Sequence, residues 1–222
     1  MKGLLRFGLV TIVTVGVVPL GILTPTVGQV IAQVSSQDQD ALAEAERLNN
    51  QAFELYQQGK YNEAISLAEK ALAIRKKVLG ESHLDTANSL NNLAEFYRSQ
   101  GRYSEAEPLF KESLTIRKQQ LGNNHLDTAN SLNNLAELYR NQGRYSEAET
   151  LYKESLTIRK QQLRNNHPST ANSLNNLAAL YWSQERYSEA EPLYQESLTI
   201  TKQQLGDSHP STASRLNNLA AL

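Results

Sequence analysis

Apolar and polar positions along the chain alternate with helical spacing, and they do so in blocks that repeat. In residues 85–100, DTANSLNNLAEFYRSQ, the apolar Leu90, Leu93, Ala94 and Tyr97 fall at i, i+3, i+4 and i+7, one face of an α-helix. Asp85 is placed to cap its start, and Gly101 fits the turn that ends it. A second helix follows. Ser104 and Glu107 have the spacing of a capping box, and Ala106, Leu109, Phe110, Leu114 and Ile116 form its apolar side. Pro108 sits in the first turn, where a missing N–H costs little. Glu107 with Lys111, and Glu149 with Lys153, are i, i+4 partners on the outer surface.

This two-helix block recurs every 42 residues. His83, His125, His167 and His209 mark the period, as do Tyr61, Tyr103, Tyr145 and Tyr187. The string TANSLNNLA begins at Thr86, Thr128 and Thr170, and SEAE begins at Ser104, Ser146 and Ser188. Four units and a truncated fifth span residues 42–222. A lone helix pair leaves apolar surface on both sides, so the units must stack on one another. The predicted fold class is all-α, an α-solenoid of antiparallel helix pairs.

The order Leu93-Ala94-x-x-Tyr97, Gly101-x-Tyr103-x-x-Ala106, Phe110 is similar to the tetratricopeptide repeat, and the 42-residue spacing resembles the longer repeats of kinesin light chains. The resemblance implies a right-handed superhelix in which the first helix of each unit lines a concave groove. It also implies a protein that binds peptide segments or partner proteins and does no chemistry itself.

Helical periodicity alone selects groove-facing positions opposite the buried stripe: Asn88, Asn92, Glu95 and Ser99, then Asn130, Asn134, Glu137 and Asn141, then Asn172, Asn176, Ala179 and Ser183. The first unit offers Glu46, Asn50, Phe53 and Gln57. Asn50, Asn92, Asn134 and Asn176, with Asn218 in the fifth unit, form a ladder of carboxamides. Each carries a donor and an acceptor, the pair needed to bond a peptide backbone whatever its side chains. Asparagine is disfavoured in a helix interior by about 0.6 kcal/mol relative to alanine, so a whole ladder needs an offsetting role. A neighbouring column, Asn49, Asn91, Asn133, Asn175 and Asn217, is expected to tie adjacent helices together. Where Arg98 and Arg140 stand, the next unit has Trp182, and Phe53 and Tyr56 replace charged residues in the first. The ends of the groove are therefore expected to hold apolar ligand side chains, with Phe53 and Trp182 as anchors, or else to pack on neighbouring segments.

Composition narrows the function. The net charge of −1 argues against a nucleic-acid partner, and the lack of cysteine removes disulfides, thiolate metal sites and cysteine nucleophiles. The four histidines are whole units apart and cannot converge on one metal; they are expected to bond within linkers. Glu105 and Glu107 point apart on their helix and make no acid–base pair. The basic clusters Arg75-Lys76-Lys77, Arg117-Lys118 and Arg159-Lys160 are expected to complement the helix C-termini. No phosphate loop, nucleophile elbow or HExxH motif occurs, so neither a catalytic role nor a cofactor is expected.

Residues 1–32 differ from the rest. Lys2 and Arg6 precede the apolar run Phe7 to Leu23, and Val30 and Ala32 fit a cleavage site. This reads as a signal peptide of an exported, periplasmic or extracellular protein; an uncleaved membrane anchor is the alternative. Residues 33–41 read as a polar tether, with the folded part beginning near Leu42. At the other end, Leu222 lies ten residues into the first helix of the fifth unit, whose apolar face has no following helix to cover it. A structural or self-associating role through that uncapped end is the rival to peptide binding, and a remnant of a larger repeat-plus-effector-domain protein is a further alternative.

Overall fold

The computed structural model describes residues 35–222; the proposed signal segment and the first residues of the tether lie outside them. Among the described residues there are nine helices and no strands: α1 (Ser36–Gln57), α2 (Tyr61–Leu79), α3 (Leu84–Ser99), α4 (Tyr103–Leu121), α5 (Leu126–Asn141), α6 (Tyr145–Gln162), α7 (Pro168–Ser183), α8 (Tyr187–Leu205) and α9 (Pro210–Ala220). Each helix packs chiefly on its neighbours in sequence, which is the contact pattern of a solenoid. The all-α prediction holds, and the repeating stripe is the core: Leu90, Leu132 and Leu174 are fully buried, as are Ala94, Ala136 and Ala178.

Three local expectations are corrected. Helix α1 starts at Ser36, six residues before Leu42, because Ser35 and Asp38 form a reciprocal capping box at the start of what reads as a tether. The cap of α3 is His83, not Asp85: its imidazole Nδ1 accepts from the Asp85 N–H at 3.1 Å, and His125, His167 and His209 do the same for their helices. The linker histidines thus bond as expected, as helix caps. Helix α4 starts at Tyr103, so Ser104 is already inside it and caps nothing. Gly101 at φ +74° turns the chain directly into the helix, with the Arg102 N–H bonded to the Tyr97 carbonyl at 2.9 Å. On its apolar side Ala106, Phe110 and Ile116 are buried, while Leu109 and Leu114 are half-buried.

The basic clusters lie at the C-terminal ends of the second helices as expected, with Lys76, Lys77, Lys118, Arg159 and Lys160 in last turns, and they make cross-helix contacts as well. Arg117 and Arg159 are buried, and they hydrogen-bond across units to Ser131 and Ser173. Lys76, Lys118 and Lys160 instead reach Glu112, Glu154 and Glu196 in the next second helix, at 2.7, 3.0 and 3.2 Å. Spanning one second helix to the next takes a lysine and a glutamate. The first helices α3, α5 and α7 are joined to their neighbours by asparagine pairs, whose side chains are much shorter. Adjacent first helices therefore lie close enough for two asparagine side chains to meet.

Candidate functional site

The first helices carry the predicted columns, and most of their polar members enter hydrogen-bond networks. The ladder asparagines donate backward across units: Asn92 Nδ2 to Asn49 Oδ1 at 3.2 Å, Asn134 to Asn91 at 2.9 Å, Asn176 to Asn133 at 2.9 Å, and Asn218 to Asn175 at 2.8 Å. Both asparagine columns share this one tie. The acceptor column is the more buried, with Asn133 and Asn175 nearly inaccessible. Each of these four donors gives up one N–H and keeps its carboxamide oxygen and second N–H. Asn50, in α1, is exposed.

Asn88, Asn130 and Asn172 are exposed, and each is oriented by an arginine, from the second helix of its unit for the first two and from α9 for Asn172. Arg117 donates to Asn88 Oδ1 and Arg159 to Asn130 Oδ1, each at 2.7 Å; Arg215 serves Asn172. Arg117 also donates to Ser131 at 2.6 Å, Arg159 to Ser173, and Arg75 to Ser89 at 2.6 Å, so one guanidinium binds two successive first helices. Burial pulls the pKa of Arg117 and Arg159 below the ordinary value. Sequence rules that place arginine on the surface miss these residues; the signal was the recurrence of Arg, Ser and Asn with the repeat.

Glu95 and Glu137 belong to a line of charges along the same face. Arg98 contacts Glu95 at 2.6 Å and Glu137 at 3.0 Å, and Arg140 lies 3.9 Å from Glu137. Burial raises the pKa of Glu95, and nearby Glu137 adds to this, against the pull of Arg98. The charges along this face are thus paired among themselves.

Both ends are apolar. In α1, Phe53 is 54% exposed, and Tyr56 stacks on Phe96 with centroids 4.8 Å apart while its hydroxyl meets Ser99 at 2.6 Å. Asn49, Phe53, Tyr56, Asn92, Glu95 and Phe96 enclose a cavity of about 320 Å³. At the other end Trp182, 43% exposed, borders a cavity of about 460 Å³ with Arg140, Ala179 and Tyr194. Its indole N–H also donates to the Ala221 carbonyl at 3.2 Å, so Trp182 borders the cavity and is tied to the end of α9. Among the described residues no group of three or more histidine, aspartate or glutamate side chains could hold a metal, and no helix is long and apolar enough to cross a membrane.

A family model described as "Tetratricopeptide repeat" matches residues 42–119, 85–161, 127–203 and 169–222. No curated protein matches the sequence. Among solved structures, a kinesin-light-chain-type protein of nearly identical TPR-like repeats from Podosopora anserina is 28% identical, with TM-score 0.70 over 81% of this chain and 85% of that one. A point variant of the same protein gives TM-score 0.71 at the same identity and coverage. BtubC (BKLC) from P. vanneervenii, 22% identical over 83% of this chain and 80% of its own, has TM-score 0.69 and shows the shared fold.

Proposed function

Since this chain belongs to the tetratricopeptide repeat family, whose members are generally non-catalytic protein-interaction scaffolds, we propose that it holds an extended segment of a partner protein along the asparagine-lined row of first helices. The observation that carries this reading is the unspent hydrogen-bonding capacity of the ladder. Asn92, Asn134 and Asn176 recur at one position of successive units, and each keeps an acceptor and a donor after tying its helix to the last. Asn50, Asn88, Asn130 and Asn172 extend that capacity, Glu95 and Glu137 lie between, and Phe53 and Trp182 offer apolar ground at either end. The role needs neither cofactor nor metal. The proposed setting is outside the cytoplasm, with residues 1–32 as the export signal.

The ladder's double duty fixes the control for its test. Changing Asn92, Asn134 and Asn176 to Ala removes both the inter-unit tie and the groove donor. Changing Asn49, Asn91 and Asn133 to Ala removes the same ties but spares the ladder. In a cross-linked pull-down from the envelope fraction, the ladder variant should lose a partner that the acceptor-column variant retains. Equal loss in both would make the asparagines structural. Likewise Trp182→Ala should weaken capture more than the outer-face change Lys111→Ala, and parity would remove Trp182 from the site.

A second reading rests on Leu216, 43% exposed in α9, where its counterparts Leu90, Leu132 and Leu174 are fully buried. That face would drive self-association, seen as a mass in light scattering that rises with concentration and falls back in Leu216→Glu.

A further inference from the structure

We propose that the groove selects a partner segment in the polyproline II conformation, bound with one residue triplet per repeat; the inference rests on the groove-binding reading above and specifies its ligand. It starts from the orientation of Asn88, Asn130 and Asn172. A guanidinium has donors and no acceptor, so the carboxamide oxygen must face its arginine, which comes from the second helix for Asn88 and Asn130 and from α9 for Asn172, and the Nδ2 group is turned away from it toward the groove. Asn130 Nδ2 leans toward Asp127 at 3.5 Å, a long contact that leaves its second N–H free. The row of first helices therefore presents a fixed donor at the same position of three successive units. A ligand that satisfies them must offer acceptors on one side at the interval of the repeats.

That interval is the spacing of side-by-side helices, about 8–10 Å, since adjacent first helices are joined by asparagine pairs. A β-strand rises about 3.3 Å per residue and alternates faces, so its same-side carbonyls recur at about 7 or 13 Å and miss it. A helix has already spent its carbonyls internally. Polyproline II repeats every three residues at about 3.1 Å each, returning the same face every ~9 Å, and its carbonyls have no internal partner.

The charge pattern agrees. Glu95, Arg98, Glu137 and Arg140 pair among themselves, so the middle of the ligand needs no charge. Tyr56 and Trp182 occupy the same repeat position three units apart, which corresponds to about nine ligand residues at one triplet per unit. Both are aromatic, the surface that a proline ring packs on.

The test uses the full chain and labelled synthetic peptides of four triplets, Pro-Gln-Ala against the strand-forming Val-Gln-Ala. Binding is read by anisotropy and by the emission of Trp182, the single tryptophan. The proline peptide should bind at least tenfold tighter, and its affinity should climb in steps as whole triplets are added. Asn130→Asp keeps an acceptor for Arg159 yet removes the donor; because it also sets a carboxylate against Asp127, it is made in an Asp127→Asn background, where it should weaken the proline peptide about tenfold relative to Asp127→Asn alone. Equal or tighter binding of the valine peptide, an affinity that rises evenly with every residue, or an Asn130→Asp change that leaves binding at the level of Asp127→Asn alone would overturn the polyproline II inference while leaving the groove reading standing. Failure of both peptides to bind would overturn both.

Discussion

Thr201 and Arg215 exchange the roles that Arg159 and Ser173 hold one unit earlier. In the third unit the arginine on α6 donates to Asn130 and to the serine on the next first helix. One repeat later the second helix carries threonine, the next first helix carries arginine, and Asn172 still receives its guanidinium bond. The donor has moved across the helix interface while its acceptor has stayed. Thr201→Arg alone would set two guanidiniums against each other, and Arg215→Ser alone would strip Asn172 of its partner. The double variant restores the arrangement of the earlier units. Denaturant melts of the four proteins should give a coupling of about 1–2 kcal/mol in favour of the double; additive single effects would show that the two positions do not communicate.

Glu149 gives the array an acid-sensitive joint. Its burial opposes ionisation, but hydrogen bonds from Arg186 at 2.7 Å, Lys153 at 2.6 Å and Tyr181 at 3.1 Å outweigh it and hold the pKa at about 2, below the ordinary 4.5. A depressed folded value means the contribution to stability is complete above pH 4.5 and is lost as pH falls toward 2. Glu149→Gln should lower the midpoint by about 2–4 °C at pH 7, and the gap to the parent should close in acid. A gap that persists at pH 2 would assign the loss to packing.

The two-helix unit, its period and its buried stripe were legible because each is a pattern of residue types at fixed spacing. Leu90, Leu93, Ala94 and Tyr97 needed only helical geometry, and all four are buried. The caps were less legible. His83 and Asp85 both carry an acceptor beside the same helix start, and only the backbone path selects the imidazole. The site was half legible. Periodicity placed Asn92 and Asn88 on one face of the first helix, but their partners Asn49 and Arg117 lie 43 and 29 residues away. Those pairings depend on how far one unit slides along the next, which no local rule supplies.

Arg164 breaks a linker that the other units build on glycine. Gly80, Gly122 and Gly206 adopt φ near +88° and offer their carbonyls to Thr86, Thr128 and Thr212 at 2.8, 2.9 and 2.7 Å. With arginine at the equivalent place, α6 ends at Gln162, and the buried Thr170 hydroxyl has no partner. Arg164→Gly should restore the bond and stabilise the array by about 1 kcal/mol. The companion change Thr170→Ala should cost less in the parent than Thr128→Ala does. Equal costs would mean that Thr170 is satisfied after all.

Glu185 occupies the corresponding weak point between the helices of the fourth unit. Gly59, Gly101 and Gly143 turn there at φ 74–76°, and Glu185 is held at φ 60° in the left-handed region, which costs a side-chain-bearing residue about 1–2 kcal/mol. Glu185→Gly relieves that strain but loosens the unfolded chain, so the net gain should be about 0.5–1 kcal/mol. Glu185→Ala separates backbone from side chain: alanine keeps the β-carbon and the strain, so it should gain nothing. If alanine stabilised as much as glycine, the cause would be the glutamate side chain and not its backbone.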